Sequence, residues 1–155
     1  MTKMNDDGGL IGMRTEDLRV QALKNPLGIN ENPVFSWQLV SDKKDEKNER
    51  QTAYRILVSE SEASLINETG MLWDSGVVKE SRCFGILYQG KKLHSAQKAY
   101  WKVMVWDGEN QASVWSETAS FETGLLERED WKGTWIGQGE DYENQELAPV
   151  LVGEF

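Results

Sequence analysis

The sequence predicts an all-β protein: about seven short strands in two antiparallel sheets packed face to face as a sandwich. Three observations carry this. Apolar and polar residues alternate with a period of two in several stretches, which puts every second side chain on a buried face. The stretches are short and are separated by Gly, Asn, Asp and Pro at the intervals of a sandwich. There is no long amphipathic helix and no alternation of strand and helix signals, so a parallel sheet with a nucleotide crevice is disfavoured.

The elements follow in order. Leu18–Leu23 (LRVQAL) alternates as a half-buried strand does, and Asn25-Pro26-Leu27-Gly28 breaks it. Val34–Val40 puts Phe35, Trp37 and Leu39 on one face. Ser41–Arg50 holds four acids and four bases and reads as a solvated hairpin loop. Thr52–Ser59 places Tyr54, Ile56 and Val58 on one face and Arg55 on the other. Ser61–Gly70 is either one helical turn or a loop. Met71–Gly76 and Phe84–Tyr88 read as short strands.

The strongest strand signal is Ala99–Asp107 (AYWKVMVWD) before the turn residues Gly108, Glu109 and Asn110. It sets Trp101, Val103 and Val105 on an inner face against Tyr100, Lys102, Met104 and Trp106 on the outer one. Ser113–Thr123, with Val114, Trp115 and Phe121, completes the set. The expected core is Phe35, Trp37, Tyr54, Ile56, Trp101, Val103 and Val105.

Composition narrows the function. At 155 residues, 39% hydrophobic and 28% charged, the chain suits one globular domain with flanking segments. No apolar run is long enough to span a bilayer. Met1–Gly9 holds two acids and lacks an apolar stretch, so a cytoplasmic chain is expected unless a leader has been removed. The net charge is −9, and Glu122–Phe155 carries nine acids against Arg128 and Lys132. The body is therefore nearly neutral. Without a basic face to displace counterions, nucleic acid is not an expected partner.

Cys83 stands alone, which rules out an internal disulfide and a multi-cysteine zinc site, and reads as a small half-buried strand residue. His94 is the single histidine, so no multi-histidine metal site exists. No metal and no cofactor is expected. Asp74 and Asp107 each follow a tryptophan where a strand ends, which suits a turn rather than acid–base catalysis. Asn67-Glu68-Thr69 matches a glycosylation sequon, a motif short enough to arise by chance.

Taken jointly, several segments carry a resemblance. Phe35-Ser36-Trp37, Tyr54-Arg55-Ile56-Leu57-Val58, Leu72-Trp73-Asp74-Ser75-Gly76 and Tyr100–Asp107 come in that order, followed by Trp115-Ser116 and Phe121-Glu122-Thr123-Gly124. The order resembles the opening fibronectin type III-like, immunoglobulin-like domain of bacterial α-L-rhamnosidases. Asp130-Trp131-Lys132-Gly133-Thr134-Trp135-Ile136-Gly137 is similar to that family's link into its next β-domain. The resemblance spans about residues 18 to 137 and implies a parent enzyme that removes terminal L-rhamnose by inversion. That chemistry needs two carboxyl groups about 6.5–9.5 Å apart, in a helical-barrel domain that nothing in this chain matches. No catalytic residue is therefore carried over. The partners implied are the other domains of the same enzyme, and a homodimer of the full enzyme stays open.

One departure is visible. Aligned on Leu93 and Ser95, Ala99 falls where many such domains have the tyrosine of the tyrosine corner, and Tyr100 is one residue out of phase. Either the corner hydrogen bond is missing or a bulge shifts the register, and the first is expected.

The chain has seven tryptophans. Trp37 and Trp101 fall on inner registers. Trp106, Trp115, Trp131 and Trp135 are the candidates for sugar contact or a domain interface, since flat indoles stack on sugar rings. The expected layout is a flexible segment 1–17, the sandwich 18–123, and a linker with the first strand of a following domain at 124–155. Gly137–Gln145 is expected to be mobile. The expected role is a non-catalytic structural module, with a carbohydrate-binding module for rhamnose-bearing glycans as the alternative.

Overall fold

The computed structural model describes residues 12–30, 32–41 and 50–133. Within them, strands β1 (Met13–Val20), β2 (Val34–Ser41), β3 (Ala53–Ser59), β4 (Trp73–Asp74), β5 (Ile86–Leu87), β6 (Lys98–Trp106) and β7 (Ala119–Glu122) form two sheets. One sheet has the order β1-β2-β5 and the other β4-β3-β6-β7, with antiparallel pairing throughout. In an immunoglobulin constant domain the fourth strand joins the first sheet. Here β4 pairs with β3 instead, which makes sheets of three and four strands.

The period-two pattern puts the expected residues inside. Phe35, Trp37, Tyr54, Ile56, Trp101, Val103 and Val105 are all buried, together with Val20, Val58, Ala99 and Phe121. Each large apolar side chain so buried contributes about 1.5–3 kcal/mol. Phe35 is the hub, its ring centroid 4.6 Å from Trp101, 5.8 Å from Trp73 and 6.0 Å from Phe121. Trp37 meets Tyr54 edge-on at 5.4 Å. A polar network in this region is centred on buried Gln51, which accepts the Trp37 indole N–H (2.9 Å) and donates to the carbonyls of Glu80 and Arg82. A buried amide with its groups bonded costs little, and the same amide left open costs a few kcal/mol.

β6 keeps an unbroken register with β3, so no bulge moves Tyr100 inward. The corner hydrogen bond is therefore missing, and Ala99 is fully buried in its place. Buried Thr123 fixes the approach to β6 instead: its hydroxyl bonds the His94 carbonyl and accepts the Gln97 N–H (2.8 Å).

The structure corrects several boundaries. The first strand covers Met13–Val20, so residues 13–17 belong to the sandwich and not to a flexible segment. It ends at Val20 because Gln21 and Ala22 both take positive φ (53° and 62°) in a two-residue turn closed by the Val20–Leu23 pair. The Ser61–Gly70 stretch contains a helix, α1 (Glu62–Asn67), capped by the Ser61 side chain accepting the Ser64 N–H. Of the expected strand Ser113–Thr123, only Ala119–Glu122 pairs regularly. The expected loop at Ser41–Arg50 lies largely outside the described residues, as do Trp135 and Gly137–Gln145.

Candidate interaction surface

The outer face of the four-stranded sheet collects the residues with chemistry. On β6, Tyr100, Lys102, Met104 and Trp106 point away from the core, opposite Ser59, Leu57, Arg55 and Ala53 of β3. Helix α1 packs across β3 and β6, burying its Leu65. Leu57, on an outward register, is fully buried as well. This face is thus half covered by a helical cap, a feature that period-two reasoning does not foresee.

The rest of the cover comes from residues 113–118. This segment runs beside β6 without forming a regular strand, because two serine hydroxyls take ladder positions. Ser113 Oγ accepts the Val105 N–H (3.1 Å) and Ser116 Oγ accepts the Val103 N–H (3.0 Å). Their own N–H groups donate to the carbonyls of Val105 and Val103. Between the serines, Trp115 is placed over the sheet's cations. Lys102 Nζ lies 4.5 Å from its ring centroid and the Arg55 guanidinium carbon 5.8 Å.

Arg55 in turn forms a two-pronged pair with Asp74, at 3.0 and 2.7 Å, and lies 3.8 Å from Glu68. The hydrogen bond from Arg55, helped by the backbone N–H of Gly76, holds the Asp74 carboxyl below the usual range. Lys102 is buried, and that burial pulls its ammonium below the usual lysine range against the attraction of Glu68.

The bonds that Asp74 accepts from Arg55 and Gly76 favour its ionised form, which suits an ion-pair and turn role. Asp107 is occupied too: one oxygen accepts the N–H groups of Glu109 (2.9 Å) and Gln111 (2.8 Å), which makes it a turn residue. His94 is exposed, and its backbone N–H donates to Gln97. Cys83 is half-buried against the core, and its carbonyl accepts from Trp37. Among the described residues there is no cluster of His, Cys, Asp and Glu able to hold a metal ion. No described helix is long and apolar enough to cross a membrane.

The three tryptophan candidates among the described residues, Trp106, Trp115 and Trp131, do not converge. Trp115 is half-buried in the cation cluster, and Trp106 is half-buried at the far end of β6. Trp131 is 62% exposed after the short 3-10 turn Arg128–Asp130, beyond the sandwich. Trp115 also lines a groove of about 520 Å³ between β1 and residues 114–119. Asp17 lines it from a bulge in β1, with φ at 49°. Its carboxylate is held by Lys24, Arg19 and Gln38, and the bonds from Lys24 and Arg19 keep it below the usual carboxylate range. Sequence reading missed Asp17 because a bulge leaves no trace in hydrophobic periodicity.

Comparison with known proteins adds what the geometry does not contain. Residues 15–127 match the family model described as the Rha78A-like, N-terminal immunoglobulin domain. An α-L-rhamnosidase of Alteromonas sp. (strain LOR) is 43% identical over 114 residues, which are 73% of this chain and 12% of that protein. The structure of the α-L-rhamnosidase from Dictyoglumus thermophilum matches with a TM-score of 0.75 and 42% identity, over 81% of this chain and 14% of the other. The Streptomyces avermitilis α-L-rhamnosidase complexed with L-rhamnose also gives 0.75, with 32% identity over 83% and 12%. The chain spans 12% of the length of the curated relatives it matches.

Proposed function

The chain belongs to the family of Rha78A-like N-terminal immunoglobulin domains, and from that premise we propose that it is a non-catalytic structural module of a larger α-L-rhamnosidase. The observation that carries this reading is the place of the match: the chain is similar to α-L-rhamnosidases, and it corresponds to a small share of each. The chemistry of the described residues agrees. The carboxylates weighed for acid–base work are tied into an ion pair (Asp74) and a turn (Asp107). An inverting hydrolysis in the parent enzyme would have to draw its two carboxyl groups from elsewhere in the polypeptide. The module's contribution would be to pack against the neighbouring parts of that enzyme.

Two measurements test the proposal. The coding sequence downstream of residue 155 is expected to continue in frame into a glycoside hydrolase; a stop codon there would remove the premise. Titration calorimetry of the 155-residue chain with L-rhamnose and rhamnosylated oligosaccharides is expected to show no binding tighter than about millimolar. Micromolar binding, lost in Trp115→Ala, would make the chain a carbohydrate-binding module instead.

A further inference from the structure

We propose that the cleft between the edge strands β4 and β5 is a weak binding site for a neutral, hydroxyl-bearing ligand the size of one sugar ring. Each of these strands has two residues and ends one of the two sheets, and a gap is left between the sheets along this side. The gap is a cavity of about 300 Å³, at the lower end of the range for small-ligand sites. Tyr54, Trp73, Val78, Glu80, Leu87 and Gln89 line it. Its walls are held from behind. Trp73 packs on Phe35 and Tyr88, with ring centroids 5.8 and 5.5 Å away, and Tyr54 meets Trp37 edge-on. Buried Gln51 bonds the carbonyls of Glu80 and Arg82, and Tyr54 and Val78 exchange backbone hydrogen bonds at 3.0 and 2.8 Å. A cavity fixed in this way has little ordering left to do when it is filled.

The lining selects the ligand. Tyr54 is only 5% exposed, and its hydroxyl lies 3.5 Å from Glu80 Oε2. A hydroxyl donating to a carboxylate normally sits at about 2.5–2.7 Å, so both groups are under-used. A ligand hydroxyl set beside them accepts from the phenol and donates to the carboxylate, which satisfies both. The other oxygen of Glu80 takes the Arg82 Nε–H at 2.9 Å, so the cleft offers no net charge to draw in an ion. Trp73, Val78 and Leu87, the last 56% exposed, make the remaining wall apolar. Hydroxyls on one side and an apolar face on the other describe a pyranose, and a 6-deoxy ring adds a methyl group suited to Val78 and Leu87. With one ring's worth of contacts, the dissociation constant is expected to be about 1–10 mM. Occupancy of that strength goes beyond the structural role proposed above and leaves it standing.

Nuclear magnetic resonance titration of the 155-residue chain with methyl α-L-rhamnopyranoside, taken to about 100 mM, reads binding of this strength residue by residue. Saturable shifts are expected at the Val78, Glu80 and Gln89 amides and at the Trp73 indole N–H. Tyr54→Phe removes one oxygen and is expected to weaken the response about tenfold, while amide positions away from the cleft keep their wild-type values. Gln89→Trp, at an exposed position on the lining, is expected to abolish it by filling the mouth. No saturable shift in the wild-type chain would overturn the site. So would an undiminished response in Tyr54→Phe, an equal response to glycerol, or shifts centred on Trp115 instead. Each of these results leaves the proposed function intact. Micromolar binding lost in Tyr54→Phe would keep the site and overturn the structural reading, and a reading frame that stops at residue 155 would remove that reading while the cleft still binds.

Discussion

The ammonium of Lys102 lies 4.5 Å from the ring centroid of Trp115, an indole flanked by two serines that bond to β6. A cation in that position is partly compensated by the ring and penalised by its desolvation, and burial holds its pKa below the lysine norm. The two effects separate by substitution. Lys102→Met keeps the stem and removes the charge, and is expected to change unfolding free energy by less than about 1 kcal/mol. Trp115→Ala strips the cover from both cations and is expected to cost about 2–3 kcal/mol. Urea denaturation of both variants checks this; a larger loss for Lys102→Met would show that the cation–ring attraction dominates.

The two faces of β6 make unequal demands. Trp101 is fully buried against Phe35, whereas Trp106 is half-buried at the strand's outer end. Trp101→Ala is expected to cost about 3–5 kcal/mol and Trp106→Ala about 1 kcal/mol. Melting temperatures of the two variants decide it, and equal losses would contradict the face assignment.

Stability in acid should follow the Arg55–Asp74 pair. The folded pKa of Asp74 lies below its unfolded value of 3.8, so its stabilisation is complete above that value and fades as pH falls through the folded one. Asp17 contributes with the same sign. Asp74→Asn is expected to lower stability at pH 7 by about 1 kcal/mol or less. It should also flatten the loss below about pH 4, measured as denaturant midpoints across pH. An acid limb as steep as the wild type's would assign the loss to other carboxylates.

Gln51, just before β3, links the Trp37 indole of β2 to the carbonyls of Glu80 and Arg82. Gln51→Leu keeps the volume but leaves the buried indole N–H without its acceptor, at an expected cost of about 2–3 kcal/mol. Near-ultraviolet circular dichroism, which reports the tryptophan environment, should change along with the midpoint of unfolding.

The inner core was legible because period two is a geometric necessity of a strand whose one face is buried. Phe35, Trp37, Tyr54, Ile56, Trp101, Val103 and Val105 all lie where alternation places them. Ala99 was legible as well, since a missing tyrosine hydroxyl shows in the sequence. The cover of the outer face was not. Leu57 lies on the outward register of β3 and is fully buried in the sheet that α1 packs across, a tertiary event that local pattern does not encode. Met13–Asp17 escaped for a related reason: an edge strand with a bulge carries few apolar residues. Trp115 could be named as notable, but its place among Lys102 and Arg55 depends on two serines replacing regular pairing, which looks in sequence like an ordinary strand.

Those two serines also bear on how the chain avoids wrong pairing while it is made. A sheet ending in a straight, fully paired strand offers a row of free amides and carbonyls on which another emerging chain can crystallise. Here the last regular strand is four residues, Ala119–Glu122. The stretch before it meets its neighbour partly through hydroxyls, so its backbone does not present the even spacing that a foreign strand would need. Replacing Ser113 and Ser116 together would therefore be expected to do more than loosen Trp115: it would turn a misfit border into a template, with insoluble product during synthesis as its symptom.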